Sequence, residues 1–362
     1  MAWEKSANIR RALTLRCAQA GIPVSGTFEL SPRCNLACRM CYVRLTPEQM
    51  APIGRERSAK EWLDIAQQAK DAGMTFLLLT GGEPTLRTDF LEIYEGLAKM
   101  GFSISINSNG TLFSPKLREL MHQYPPAQVN VTVYGFSRED YRELCGNPDA
   151  YDNMIDTLQW LDEEGILIHL NATMIPANAE RWERFEEFAK ERNLELRMTS
   201  YCFPPSRREE CSGFERLEPE VAGELTVKDM LYREGIEAIR ERAKKLEQPL
   251  NSCKLDIGDP IQCMAAKSQF WISWDGSMVP CGMLSCPVVH PFENGFATEW
   301  QKLREETDAI RLCPECTSCP DRMSCMNCAA VTYTETGRFD GKPEYMCRLN
   351  KAYKEALEKY SN

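Results

Sequence analysis

The stretch that decides the fold is Cys34-Asn35-Leu36-Ala37-Cys38-Arg39-Met40-Cys41, which places three thiols at the spacing C-x3-C-x2-C. Three thiols this close together can bind one iron–sulfur cluster. A cubane [4Fe–4S] cluster takes four ligands, so three protein thiolates leave one iron open. An open iron is a place where a small molecule can bind and react, and the rest of the chain is interpreted around it.

The composition is that of an ordinary globular protein. Of the 362 residues, 43% are hydrophobic and 27% are charged, both close to average values. The formal net charge of −10 argues against nucleic acid as the main partner, because phosphate binding needs a basic surface. No apolar run approaches the ~18 residues that cross a bilayer, and the N-terminus lacks the apolar region of a signal peptide. We therefore expect a cytoplasmic protein without a membrane partner.

The 17 cysteines are the unusual feature of the composition. Many cysteines can indicate a secreted protein stabilised by disulfides, but this chain is long, has an odd count and shows no signal peptide. The cysteines also concentrate in residues 34–41 and 253–347, at metal-ligand spacings. This pattern favours thiols that are kept reduced and bind metal or clusters.

Apolar strands alternate with helices as far as residue 200. Strands are predicted at Val24–Leu30, Met74–Thr80, Phe102–Asn107, Gln128–Tyr134, Ile166–Thr173 and Leu194–Ser200. This order predicts an α/β fold with a parallel sheet whose strands are buried on both faces. A partial (β/α)6 barrel is favoured over an open sheet, although periodicity alone does not decide between them. In either case the loops at the carboxyl ends of the strands carry the chemistry.

We divide the chain into five segments by these patterns. They are an N-terminal helical segment (1–22), the α/β core (23–200), a linker with a helix at Val227–Leu246 (201–250), a small cysteine-rich domain (251–348) and a C-terminal helix (349–362). The cysteine-rich segment has little apolar sequence and needs bound metal to hold a fold. Within it, Asp275-Gly276 predicts a β-hairpin.

The cysteine triplet after a first strand, followed by Gly81-Gly82-Glu83-Pro84 after a second, resembles the radical S-adenosylmethionine (SAM) superfamily. The resemblance implies that Cys34, Cys38 and Cys41 bind a [4Fe–4S] cluster whose open iron is chelated by SAM. It also implies that Gly81, Gly82, Glu83 and Pro84 form the SAM-binding turn, with Glu83 pairing with the methionine ammonium.

Three further SAM contacts are implied by the same resemblance. Asn107, Asn109 and Thr132 would face the adenosyl and ribose groups. The alternative for Asn109-Gly110 is that it is simply a turn.

The second group of cysteines resembles a SPASM domain, an extension of radical SAM enzymes that holds two auxiliary clusters. The resemblance assigns Cys263, Cys281 and Cys328, with Cys253 as a possible fourth ligand, to auxiliary cluster I. It assigns Cys316, Cys319, Cys325 and Cys347 to auxiliary cluster II. The spacing before Cys328 is one residue shorter than the family pattern. The alternative is a zinc ribbon built on paired C-x2-C, which needs only four of these thiols.

The resemblance implies an enzyme with SAM and three [4Fe–4S] clusters, served by an electron donor such as flavodoxin or ferredoxin. Our first hypothesis is a maturase that installs an oxidative crosslink, thioether or C–C, in a ribosomally synthesised precursor peptide. Many such maturases begin with a leader-binding domain. Because the first predicted strand begins near Val24, we expect the leader peptide to bind elsewhere or through a separate leader-peptide-binding protein.

Other functions remain open at this stage. A radical SAM oxidoreductase or decarboxylase acting on a small molecule such as a tetrapyrrole is the main alternative. A sulfatase-maturating enzyme is disfavoured, because Gly282 stands where those enzymes carry an acid after the cysteine. A non-enzymatic electron carrier would not need the Gly-Gly-Glu-Pro turn. The sequence assigns no role to five further thiols, Cys145, Cys202, Cys211, Cys286 and Cys313.

Overall fold

The computed structural model describes residues 2–205, 214–247, 261, 263–322 and 324–361. Two cysteines of the sequence analysis lie outside the described residues. They are Cys253, the possible fourth ligand of auxiliary cluster I, and Cys211, to which no role was assigned.

All six predicted strands are confirmed, with ends shifted by one or two residues. The strands are β1 (Ser25–Glu29), β2 (Phe76–Thr80), β3 (Ser103–Ser108), β4 (Gln128–Thr132), β5 (Ile168–Thr173), β6 (Glu195–Thr199), β7 (Gln269–Ile272) and β8 (Met278–Val279). The hairpin predicted at Asp275-Gly276 is also present as β7 and β8, which pair in the antiparallel direction. Gly276 makes its turn possible with a φ of 92°, a backbone conformation that glycine adopts without strain.

The strands form one eight-stranded sheet in the order β6-β5-β4-β3-β2-β1-β7-β8. The neighbours from β1 to β4 are parallel, with Glu29 opposite Thr80 and Asn107 opposite Asn130. Strand β7 also lies parallel to β1, with Thr27 opposite Trp271. The α/β class and the parallel sheet are therefore as predicted, whereas no sequence pattern indicated that the cysteine-rich segment adds a strand beside β1.

The prediction that the strands are buried on both faces is wrong. In β3, buried residues alternate with half-buried ones, and β4 repeats the pattern. On one face the buried residues of β3 are Ile104, Ile106 and Ser108, while the other face carries Ser105, Asn107 and Asn130. A strand alternates its side chains between the two faces of a sheet, so at β3 and β4 the sheet has one largely apolar face and one polar face.

Helices connect the strands. They are α1 (Ala2–Ala20), α2 (Pro47–Met50), α3 (Ala59–Asp71), α4 (Phe90–Lys99), α5 (Pro115–Gln123), α6 (Arg138–Cys145), α7 (Ala150–Glu163), α8 (Trp182–Glu191), α9 (Pro219–Glu234), α10 (Ile236–Glu247), α11 (Pro291–Asn294), α12 (Phe296–Asp308), α13 (Pro314–Thr317), α14 (Ala329–Thr336) and α15 (Glu344–Ser361). Helix α3 begins with the predicted capping box, in which the Ser58 hydroxyl and the Glu61 carboxylate satisfy each other's backbone N–H groups. Its Trp62 is buried against the ring of Phe28, 4.9 Å away, which fixes α3 on the apolar face of the sheet.

The helix predicted at Val227–Leu246 is two helices, and its start was placed too late. Helix α9 begins at Pro219, inside the predicted linker, and ends before Gly235, whose φ is 80°. Helix α10 continues from Ile236. The two helices pack with α15 around Val227, Ile239 and Leu357.

The chain divides into two compact units, and the five segments suggested by the sequence stay a prediction. The first unit contains residues 1–38, 43–170 and 263–308, and the second contains residues 39–42, 171–262 and 309–362. Each unit is described by itself below. Within the described residues, no helix combines the length and apolar character required to cross a membrane.

Candidate functional site

The Gly-Gly-Glu-Pro turn lies against the backbone that leads from β1 into the cysteine stretch. Gly82 N donates to Ser31 O at 2.7 Å, and Glu83 N donates to Arg33 O at 2.8 Å. A Cβ atom on Gly81 or Gly82 would lie 2.4 Å from Ser31 O or Arg33 O respectively. Glycine is therefore required at both positions by this close approach. The two motifs that the sequence placed together are in contact as far as Arg33, the residue before the first cysteine.

Glu83 is fully buried and links the turn to the end of β3. Its carboxylate accepts hydrogen bonds from Asn109 N at 2.8 Å, from Ser108 Oγ at 3.0 and 3.1 Å, and from Thr85 N at 3.1 Å. Burial raises the pKa of Glu83, and these hydrogen bonds oppose the rise. The sequence did not predict this linking role. Pairing of Glu83 with a methionine ammonium stays a prediction.

Asn109 joins the same network to the first cysteine. Its Nδ2 atom donates to Asn35 Oδ1 at 2.9 Å and lies 3.7 Å from Cys34 Sγ, within hydrogen-bond range of sulfur. Its Oδ1 atom accepts from Thr111 N at 3.0 Å, and Asn35 Nδ2 donates to Thr111 Oγ1 at 2.8 Å. Asn109 is thus more than the turn residue that the sequence allowed: it orients Cys34. Its contact with an adenosyl group stays a prediction.

Cys38 has two neighbours that the sequence did not single out. A hydrogen bond from the Cys145 thiol lowers the pKa of Cys38, and Tyr134 also contributes a hydrogen bond. The Cys145 backbone carbonyl accepts from Ala37 N at 2.8 Å, so the end of α6 is fastened to the cysteine stretch. The hydrogen bond with Cys38 also raises the pKa of Cys145. Spacing along the chain gives no hint of this pair, because the contact depends on how α6 packs.

Cys41 belongs to the second unit, together with the residues from Arg39 to Tyr42. In that unit Arg39 Nε donates to Glu215 Oε1 at 3.0 Å, and Glu215 N donates to Arg39 O at 3.3 Å. Cys41 itself is half-buried. These contacts hold the short segment that carries the third thiol of the triplet.

The polar face of the sheet contains Asn107 and Thr132, which the sequence predicted as SAM contacts. Both are half-buried. Asn130 Nδ2 donates to Asn107 Oδ1 at 2.7 Å, and Gln128 Nε2 lies 3.1 Å from His169 Nδ1. The structure therefore places these two side chains on one face among other amides, and their binding of SAM stays a prediction.

The four thiols predicted for auxiliary cluster II lie in one unit and line one cavity of about 80 Å³. They are Cys316, Cys319, Cys325 and Cys347. Burial, reinforced by Cys313, Cys347 and Cys325, raises the pKa of Cys316 to about 12. Within the described residues, no three His, Cys, Asp or Glu side chains converge closely enough to hold one metal ion. Four thiols around one cavity are a donor set that suits an iron–sulfur cluster, and the binding of a cluster by these four thiols stays a prediction.

The set predicted for auxiliary cluster I is divided. Cys263 is exposed and Cys281 is half-buried in the first unit, whereas Cys328 is exposed in the second unit. The possible fourth ligand, Cys253, lies outside the described residues. This ligand set stays a prediction.

The sequence model of the radical SAM superfamily matches residues 28–189 of this chain, from β1 through most of α8. The match includes the three cysteines, the glycine-rich turn and the polar face. Residues 28–189 are a radical SAM domain. The donors around Cys34 and Cys38 fit this assignment, because hydrogen bonds to cysteine sulfur orient thiolate ligands of a cluster.

The curated relatives that this chain matches have several different activities. An AdoMet-dependent heme synthase of Methanosarcina barkeri is 24% identical over 337 residues, covering 89% of this chain and 95% of its own length. A probable GTP 3′,8-cyclase of Saccharolobus islandicus is 30% identical over 43% of this chain and 50% of its own length. AlbA, the antilisterial bacteriocin subtilosin biosynthesis protein of Bacillus subtilis, is 26% identical over 50% of this chain and 39% of its own length. The chain thus spans half or less of the last two relatives.

Among solved structures, the fold resembles that of Streptococcus suis SuiB bound to its precursor peptide SuiA. The TM-score is 0.68 at 18% identity, and the alignment covers 96% of this chain and 81% of SuiB. At this identity the likeness shows the fold of the radical SAM domain and its extension, and nothing about the substrate.

Proposed function

We propose that this chain is a peptide-modifying radical SAM enzyme that forms an oxidative crosslink, thioether or C–C, in a ribosomally synthesised peptide. When bound, the first cluster and SAM supply a 5′-deoxyadenosyl radical that removes a hydrogen atom from the substrate. Cys34, Cys38 and Cys41 would hold that cluster. We also propose two auxiliary clusters, which makes three [4Fe–4S] clusters in all, with flavodoxin or ferredoxin as the electron donor.

The observation that carries the proposal is the cavity lined by Cys316, Cys319, Cys325 and Cys347. Forming a crosslink after hydrogen abstraction releases one electron from the substrate. A second redox group gives that electron a destination, and four thiols around one cavity can hold such a group. Radical generation alone would need only the first three cysteines.

The polar face of the sheet supports a peptide as the substrate class. Its amide side chains, Asn107, Asn130 and Gln128, can both donate and accept hydrogen bonds, as a peptide backbone does. The half-buried residues of the described strands β1 to β4 include no lysine or arginine.

A tetrapyrrole oxidoreductase or decarboxylase is the second candidate, favoured by the heme synthase relative that covers most of both chains. Propionate carboxylates are best recognised by arginine or lysine, which the strand face described above does not offer. Sulfatase maturation has weaker support. The position after Cys281 is Gly282, where an added Cβ would lie 2.6 Å from the Trp271 ring, so no acidic side chain fits without rearrangement.

The test begins with anaerobic reconstitution and an iron count. We expect about twelve irons per chain for three cubane clusters and reductive cleavage of SAM to 5′-deoxyadenosine. About four irons and no cleavage would contradict the proposal. The Cys38→Ala variant is the control, because it removes a ligand of the first cluster only.

The substrate class is tested with the reconstituted enzyme. Cysteine-containing peptides encoded beside the gene are compared with an iron-containing tetracarboxylate tetrapyrrole, under reduction by flavodoxin or dithionite. We expect a peptide to lose two hydrogens by mass spectrometry while the tetrapyrrole is unchanged. Decarboxylation of the tetrapyrrole alone would favour the second candidate.

A further inference from the structure

Two carboxamides accompany the four thiols at the cavity of the second unit. Asn327 and Asn350 line it together with Cys316, Cys319, Cys325 and Cys347. The family resemblance and the cysteine spacing say nothing about either asparagine. Their hydrogen bonds identify what they do there.

Asn327 donates to a ligand sulfur. Its Nδ2 atom lies 3.7 Å from Cys316 Sγ, within hydrogen-bond range of sulfur. Its Oδ1 atom accepts from Thr332 Oγ1 at 3.1 Å, and Thr332 is buried. The threonine hydroxyl holds the amide in place, and in this orientation its NH2 group faces the thiol.

Asn350 is buried, with 4% of its surface exposed, and one end of its amide has no partner. Its Nδ2 atom donates to Ser324 Oγ at 3.4 Å, while Oδ1 makes no hydrogen bond. Leaving a buried acceptor unpaired costs about 1–3 kcal/mol. The oxygen and nitrogen of an amide are assigned from the hydrogen-bond network, and the opposite assignment is equally possible sterically.

Turning the Asn350 amide over exchanges the positions of its oxygen and its NH2 group. Its Oδ1 atom can then accept from the Ser324 hydroxyl if that hydroxyl turns away from Asp321 O, to which it donates at 2.9 Å. Asp321 O keeps its hydrogen bonds from Ser324 N and Cys325 N, both at 3.0 Å. The NH2 group then takes the buried position that has no hydrogen-bond partner in the described part of the protein, on a residue that lines the cavity of the four thiols. Sulfur ligands and sulfides are acceptors, so this orientation gives the amide a partner only when a cluster is bound.

We propose that Asn327 and Asn350 are positioning residues that donate hydrogen bonds to the sulfur atoms of auxiliary cluster II and raise its reduction potential. Reduction adds one electron, whose charge is shared by the sulfurs, and an N–H donor stabilises that charge. The cluster is thereby tuned to accept an electron from the substrate. The inference rests on the auxiliary cluster of the proposed function.

The test is an EPR-monitored reductive titration of the reconstituted full chain. Replacing Cys34, Cys38 and Cys41 together with alanine removes the first cluster, so that the remaining signals come from the auxiliary clusters. In this background we compare Asn327→Asp and Asn350→Asp, which keep the side-chain shape but replace the donor by an acceptor. Asn153→Asp, on the exposed side of α7, makes the same chemical change away from the cavity.

We expect each of the two cavity variants to shift one auxiliary midpoint potential to a more negative value, with iron content retained, while Asn153→Asp shifts none. Unchanged potentials in both cavity variants, at full iron content, would overturn this inference and leave the proposed function intact. If Asn350→Asp loses iron, the midpoint potentials of Asn327→Asp and Asn350→Ser are used to test the inference instead. A background chain without auxiliary iron would overturn both this inference and the electron-accepting role in the proposed function.

Discussion

At the scale of single residues, the glycine-rich turn depends on the absence of a Cβ atom at Gly82. Gly82→Ala would place a Cβ 2.4 Å from Arg33 O and 2.8 Å from Pro32 O, and both neighbours are backbone atoms that cannot swing away. We expect a loss of roughly 1–3 kcal/mol in the free energy of unfolding, as for other overpacked sites, together with reduced iron retention. Thermal unfolding and iron content measure the two effects.

Gly54→Ala is the matched control for this prediction. Its added Cβ would approach only Asp275 Cβ, at an ordinary contact distance of 3.4 Å. Equal unfolding temperatures for the two variants would show that the backbone of the turn can shift to accept the Cβ atom. The close contact with the cysteine stretch would then not be needed for stability.

Asn109 is the second prediction at this scale. Asn109→Ala removes the donor to Cys34 Sγ and leaves Asn35 Oδ1 and Thr111 N without their partner. Unpaired buried groups cost about 1–3 kcal/mol each, so we expect a lower unfolding temperature and faster iron loss to a chelator. Asn109→Asp keeps the acceptor for Thr111 but removes the donor to sulfur. If Asn109→Asp retained iron as well as the wild type, Asn109 would not be a donor to Cys34.

At the scale of elements, helices α8 and α9 meet at two carboxyl groups. Glu186 and Asp229 are both buried, and Arg233 Nη2 lies 2.9 Å from Asp229 Oδ2. Burial, and next the hydrogen bond and charge of Asp229, raise the pKa of Glu186 to about 8. The folded state therefore holds a proton that the unfolded state releases at lower pH.

This raised pKa predicts how stability depends on pH. The contribution of the Glu186 proton is fully present below the ordinary pKa of glutamate and is lost as the pH rises through about 8. We expect the unfolding temperature of the wild type to fall, relative to Glu186→Gln, as the pH is raised from 5 to 9. The glutamine keeps the hydrogen bond without titrating. Parallel curves for the two proteins would mean that Glu186 is ionised in the folded state.

The helices and strands also show how much of the fold could be predicted from the sequence alone. The strands β1 to β6 and the capping box of α3 were predictable, because each depends on neighbouring residues in the chain. The break between α9 and α10 was visible in principle, since Gly235 interrupts the helical pattern. The parallel pairing of β7 with β1 was not predictable, because it joins segments far apart in the chain and no local pattern records it.

The residues of the candidate site likewise fall into those that the sequence predicted and those that it did not. The cysteine triplet and Gly-Gly-Glu-Pro were found from motifs, and their contact followed from the rule that strand ends meet at one edge of a parallel sheet. Cys145, Tyr134, Asn327 and Asn350 were not found. Their roles arise from packing that brings distant side chains against a thiol, and their residue types are ordinary.

At the scale of the whole molecule, the two groups of cysteines should be separable in function. Cys347→Ala removes one of four thiols around the cavity of the second unit. We expect it to lose about four irons while still cleaving SAM to 5′-deoxyadenosine, since the radical SAM domain is unchanged. Crosslinking of the peptide should be lost.

Cys38→Ala makes the opposite change and completes the comparison. It should abolish SAM cleavage while retaining the iron of the auxiliary sites, measured by iron content and EPR. If Cys347→Ala crosslinked peptide at the wild-type rate, the auxiliary cavity would have no part in the oxidation.

The place of β7 beside β1 has a consequence for attempts to express the radical SAM domain without the rest of the chain. A fragment ending at residue 189 would lack β7 and expose one side of β1, whose N–H and C=O groups would then be free to recruit strands from other chains. Such a fragment is expected to aggregate even if its own cluster assembles. Strand β7 of the cysteine-rich segment thus covers the edge of the sheet at β1. A chimera in which this segment is replaced by that of another enzyme must therefore supply a strand that pairs with β1.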